Sequence, residues 1–184
     1  MKILSGVTRH GRRRRLMVSA GLLLLLAIFI YGFACGYRIN LTPSQSLGLW
    51  RIRPLTRSVA IGDMVFVCPP DTSRFREAHR RGYLRHGLCP GGYGPLIKTV
   101  IAIEGHRVET SPDLKIDGRV IERTPVRSSD GRGRPLSPFT GGIVPGGSVF
   151  LYSNFSASWD SRYFGPVPAD GILGLADEVL TYVP

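Results

Sequence analysis

From Leu16 to Gly36 the chain runs 21 residues without a charged side chain, centred on Leu22–Ile30. A segment this apolar has to be covered by protein or by lipid. At about 1.5 Å of rise per residue, a helix over it reaches roughly 30 Å, the thickness of a bilayer's hydrocarbon core. A helix is the natural state there because its backbone groups are satisfied internally. Arg12, Arg13, Arg14 and Arg15 stand immediately before the run, and such a basic flank stays on the cytoplasmic side. The expected organisation is a basic cytoplasmic tail over 1–15, a transmembrane anchor over 16–37, and a domain over 38–184 on the other side of the membrane. Two other readings stay open. Gly32-Phe33-Ala34 ends in small residues, as a cleavable secretory signal does. Phe33-Ala34-Cys35-Gly36 faintly resembles a lipoprotein site. Both alternatives also export the domain.

A net charge of +11 and a pI of 10.3 suggest a nucleic-acid partner only if the charge is evenly spread. It is not. Lys2, Arg9, the four arginines and Arg38 hold seven of the 24 basic residues, and no acidic residue precedes Asp63. After Arg38, 17 basic residues face 13 acidic ones without aromatic-basic interleaving. The charge therefore describes membrane topology, and no nucleic-acid partner is expected.

Of the three cysteines, Cys35 ends the apolar run, and Cys68 and Cys89 lie in the exported part, where a disulfide persists. Their bridge would close an insertion over 68–89 and contribute on the order of 3 kcal/mol. The intervening Arg-rich segment reads as a loop with little apolar surface that needs such a staple. The rival is a zinc site from Cys68, His79, His86 and Cys89, at a spacing unlike the usual zinc knuckles. The expectation is no metal and no cofactor.

The exported domain reads as mainly β. Met64–Val67 and Leu96–Ile103 are apolar strands, and 114–121 is a hairpin turned by Asp117-Gly118. Val149–Tyr152, Ile172–Leu175 and Val179–Val183 are further strand candidates. Thr72–Arg81 is the one helical candidate after the anchor, and 123–147 reads as a solvated excursion without a core of its own.

Lys98 carries the first chemical signal. In a strand, residues 96, 98, 100 and 102 share a face, so its neighbours there are Leu96, Val100 and Ala102. Burial among them disfavours the ammonium, and a neutral amine acts as a general base. A strand-edge lysine whose stem lies on apolar surface is the bland alternative. Ser44, six residues past Arg38, is held within about 20 Å of the membrane boundary even in extended chain. A serine nucleophile needs an adjacent base, and neither His10, His79, His86 nor His106 has a convincing partner in the sequence. A serine–lysine pair remains.

Thr42-Pro43-Ser44 followed by Gly48-Leu49-Trp50, Cys68-Pro69-Pro70 with Cys89-Pro90-Gly91-Gly92, Leu96-Ile97-Lys98-Thr99-Val100 with Gly105, and Ser158-Trp159-Asp160-Ser161-Arg162 with Gly165 occur in that order. Together they resemble the boxes of the signal peptidase I superfamily (peptidase S26), most closely its TraF-type conjugative-transfer branch of pilin-processing peptidases. The resemblance implies a signal-peptidase-like β-barrel or sheet domain behind one N-terminal transmembrane helix. It implies Ser44 as nucleophile and Lys98 as base. The Ser44 N–H and the Thr42 hydroxyl would stabilise the oxyanion, Ser158 would aim the amine, and Asp160 and Arg162 would support the site. Three features depart from the pattern: Ser46 stands where proline is usual, Gln45 replaces a frequent methionine, and Glu104 and His106 flank Gly105. Ser46 competes with Ser44 for the nucleophile's role; spacing to Thr42 and Gly48 favours Ser44.

The implied activity is a membrane-bound serine endopeptidase working through an acyl-enzyme on an exported precursor, a conjugative pilin of a type IV secretion system or another signal-peptide-bearing protein. Its product is linear or cyclic. A general type I signal peptidase and an inactive membrane scaffold of the transfer apparatus are the alternatives.

Overall fold

The apolar run is helical. In the computed structural model, which describes residues 7–111, 113–121 and 125–183, α1 spans Val7–Ala34. The first six residues of the expected basic tail lie outside the described residues. From Leu22 to Leu26 every leucine side chain of α1 is more than half exposed. It is long and apolar enough to cross a membrane, a property that a signal sequence shares. Gly36 leaves the helix at φ 88°, the left-handed conformation that ends helices. Arg38 folds back to donate to the Phe33 carbonyl at 2.8 Å, placing a cation at the negative end of the helix dipole.

Two compact units divide the described residues, one ending at Arg38 and the other beginning at Ile39. After α1 come β1 (Tyr37–Asn40), β2 (Leu47–Arg53), β3 (Met64–Val67), α2 (Ser73–Arg80), β4 (His86–Cys89) and β5 (Leu96–Ile103). Then follow β6 (Arg107–Glu109), β7 (Lys115–Ile116), β8 (Arg119–Val120), β9 (Gly142–Ile143) and β10 (Ser148–Tyr152). The chain ends with α3 (Ser161–Phe164), β11 (Val167–Pro168) and β12 (Ile172–Tyr182). A seven-stranded sheet runs β1-β2-β12-β3-β5-β10-β11, and a four-stranded sheet runs β8-β7-β6-β9. The mainly β expectation is met.

β5 ties the two sheets together. Leu96 and Val100 belong to the main core with Val65, Val67, Val149 and Leu151. Ala102 packs with Val108, Leu114 and Phe150 in the second core, and Ile97 packs with Trp50 and Phe66 in a third. Lys98 lies opposite Val65 of β3, between these aliphatic positions. The hairpin turns at Asp117 and Gly118, both at positive φ, as a two-residue turn requires.

Four expectations need correction. The candidates at 172–175 and 179–183 are one 11-residue strand, β12, which pairs with both β2 and β3; Asp177 and Glu178 interrupt its apolar pattern because the residues there are half or fully exposed. β2 was not among the expected strands. The 68–89 insertion is no bare loop: Phe75, Ala78 and Leu84 enter the main core, with Phe75 edge-on to Trp159 at 5.3 Å. The 125–147 part of the excursion is not coreless either, since Phe139 and Val144 pack in the second core. Residues 122–124 lie outside the described residues.

Candidate active site

Asn40, at the end of β1, builds the turn that carries Ser44. It is 8% exposed, and its amide donates to the carbonyls of Thr42, Gln45 and Ser46 at 3.0, 3.1 and 2.9 Å. Its side-chain oxygen accepts from the Thr42 N–H at 3.1 Å and the Thr42 hydroxyl at 2.7 Å. One side chain thus replaces the backbone ladder that a tight, irregular turn cannot form. Trp50, fully buried, donates its indole N–H to the Ser46 carbonyl at 2.9 Å. Gly48 sits at φ 130°, and a Cβ there would fall 2.2 Å from the Leu180 carbonyl oxygen; only glycine fits this approach of β2 to β12.

Ser44 is half-buried at the apex. Its carbonyl accepts a hydrogen bond from the Ser153 hydroxyl. Ser153 directly follows Tyr152, and Tyr152 lies opposite Thr99, the residue after Lys98. The Ser44 main chain is therefore fastened to the same strand ends that carry the lysine. Ser46 is directed elsewhere: its hydroxyl donates to Glu178 at 3.2 Å. That contact favours Ser44 over Ser46 as the free hydroxyl.

Lys98 is 2% exposed, and its amine donates to the Ser158 hydroxyl at 2.9 Å. Burial pushes its pKa down to about 8; the Asp160 carboxylate works against that shift and the Arg162 guanidinium adds to it. Asp160 and Arg162 are both fully buried and form a forked pair, Nε to Oδ1 at 2.8 Å and Nη2 to Oδ2 at 2.7 Å. Asp160 also caps α3 by accepting from the Arg162 N–H and takes the Ser153 N–H at 3.2 Å. This is a fully buried ion pair.

The remaining expected residues are placed as follows. The Thr42 hydroxyl points its proton at Asn40, so donation to an oxyanion requires it to rotate. Cys68 and Cys89 are bonded to each other, with Cα atoms 5.3 Å apart, which removes both from any zinc set. His79 and His86 contact one another at 3.1 Å on the surface. His106 does have a carboxylate partner, Asp117 at 2.6 Å, but no serine hydroxyl bonds it among the described residues. Sequence reading missed Asn40 and Ser153. Asn40 carried a signal, as a polar residue two positions before the Thr-x-Ser; Ser153 carried none, since its role depends on where β10 ends.

The family described as signal peptidase, peptidase S26, matches residues 12–181. The chain belongs to this family of peptidases. A probable conjugal transfer protein TraF from Sinorhizobium fredii is 55% identical over 179 residues, 96% of this chain and 95% of that one. A conjugal transfer protein TraF from Agrobacterium tumefaciens is 52% identical over 96% of this chain and 99% of its own length. A plasmid transfer protein TraF from Escherichia coli is 35% identical over 90% and 93%. A solved signal peptidase I from Enterococcus faecalis aligns at a TM-score of 0.40 and 20% identity, over 65% of this chain and 97% of that one.

Proposed function

We propose that this chain is a serine endopeptidase anchored in the bacterial inner membrane by α1, its N-terminus cytoplasmic and its domain periplasmic. In this reading Lys98 takes the proton of the Ser44 hydroxyl as the oxygen attacks the scissile carbonyl carbon. The proton then passes to the departing amine, leaving an ester on Ser44. Water, or the amino terminus of the acyl group itself, resolves that ester and regenerates the hydroxyl. The Ser44 N–H supports the developing oxyanion, and each such donor contributes typically about 100- to 1,000-fold in rate.

The observation that carries the proposal is the buried Lys98 amine, held by a neutral hydroxyl and depressed to about 8. A lysine serving only the fold gains nothing from that environment. The relatives named as conjugal transfer proteins support a substrate belonging to conjugation, an exported pilin precursor of the transfer apparatus.

The test is co-expression of the precursor with wild type, Ser44→Ala and Lys98→Ala. Loss of cleavage in both variants with normal membrane insertion supports the peptidase; retained cleavage, or retained transfer without cleavage, leaves a scaffold. Mass spectrometry of the product, heavier or lighter by one water, distinguishes a linear from a cyclic pilin.

A further inference from the structure

The insertion and the excursion meet over a cavity of about 430 Å³ that shares Ser158 with the site. Its walls carry four guanidinium groups, Arg81, Arg127, Arg132 and Arg134, against one carboxylate, Asp130. Two of the four are compensated. Arg134 pairs with Asp130 at 2.7 Å, and Arg81 pairs with Glu77 at 2.7 Å. Asp130 is itself saturated: it accepts from the Tyr83 hydroxyl and from the backbone N–H groups of Arg132 and Arg134, and its pKa is held far below the carboxylate range. It fixes the loop and has nothing left to neutralise a second arginine.

Arg127 and Arg132 form no ion pair among the described residues. Among the described residues the Arg127 guanidinium donates to the neutral Ser156 hydroxyl at 3.2 Å, while its backbone N–H donates to the Tyr163 hydroxyl at 3.0 Å. Trp159 and Tyr163 supply an apolar wall beside them. Two unmatched guanidinium groups next to aromatic rings suit a carboxylate on a polypeptide, because the fork binds the carboxylate and the rings cover the adjoining apolar groups.

We propose that this cavity is a substrate subsite for a carboxylate, read by Arg127 and Arg132. The proposal rests on the peptidase reading only in that the carboxylate belongs to the precursor. The carboxylate is either an acidic side chain or the precursor's own C-terminus.

The test uses the full chain in neutral detergent micelles and three fluorescently labelled hexapeptides: one with two glutamates and a C-terminal amide, one with two glutamines and a free C-terminus, and one with two glutamines and an amide. Fluorescence anisotropy at low salt is expected to give at least tenfold tighter binding for one carboxylate peptide than for the uncharged control. The peptide that wins identifies the source. Raising salt should erase the difference, as should R127Q combined with R132Q, while R127K with R132K retains part of it. Ser44→Ala should bind as wild type does, which separates this site from the catalytic reading. Equal binding of all three peptides, a preference that survives R127Q/R132Q, or tighter binding of inorganic phosphate overturns the proposal.

Discussion

Lys98→Met should abolish cleavage and yet make the protein more stable at neutral pH. A shift of the buried amine from 10.5 to about 8 corresponds to about 3 kcal/mol by which the fold disfavours the ammonium. The substitution keeps the length and apolar character of the stem and removes the charge. Against the gain stands the hydrogen bond to Ser158, about 1 kcal/mol, so the net is about 2 kcal/mol in favour of the variant. The sign has a pH signature. The folded pKa lies below the unfolded one, so between about 8 and 10.5 the unfolded chain binds more protons, and wild-type stability rises with pH. The variant lacks this contribution, and its advantage should shrink across that window. Denaturant unfolding of the full chain in detergent micelles, followed by the fluorescence of buried Trp50, measures both. A variant less stable than wild type at pH 7, or a gap that does not narrow toward pH 10, would refute the reasoning: the lysine would then be an ordinary structural residue.

The rate should rise about fivefold between pH 7 and 8 and level off above about 9, because the neutral fraction of an amine at about 8 goes from roughly one-tenth to one-half to nine-tenths; a pH profile of kcat/KM checks it. Asn40→Ala leaves three carbonyls of the Ser44 turn without their donor. Misplacing the nucleophile by about 1 Å should cost roughly 100-fold in kcat, with binding of an uncleaved substrate little changed, as a titration with the Ser44→Ala background shows. Arg162→Met strands a buried carboxylate and should cost about 3–5 kcal/mol in unfolding free energy. It also removes the cation that pushes Lys98 down, so the acid limb of the residual rate profile should move to higher pH.

The lysine, the cysteine pair and the Asp117-Gly118 turn were legible because each is a local pattern: a charge within an apolar strand, two thiols around a polar segment, two residues suited to positive φ. Asn40 was not, although its neighbours were. A single asparagine at a strand end has many uses, and only the closure of 41–46 around it makes it the centre of five hydrogen bonds. The insertion was misread for a similar reason. Phe75, Ala78 and Leu84 are sparse among arginines, and their value comes from Trp159 and Phe164, which arrive from far along the chain. Asp160 and Arg162 are read from the sequence as a supporting pair; the local Asp-x-Arg pattern does not carry their complete burial, which depends on how α3 packs.

That pair also explains how a carboxylate so close to the base leaves its pKa depressed. Asp160 is two residues from Ser158 and would be the natural counterion of Lys98. An ion pair with it would raise the amine's pKa back toward its ordinary value and move the working range of the base to higher pH. Instead both carboxylate oxygens are taken: Oδ1 by the Arg162 Nε and N–H, Oδ2 by the Arg162 Nη2 and the Ser153 N–H. What remains for Lys98 is a hydroxyl, which holds the amine in place without stabilising its charge. The short helix α3 enforces this by bringing Arg162 back over Asp160. Burying an arginine at 0% exposure thus has a chemical consequence one side chain away: it keeps a carboxylate from spoiling a base.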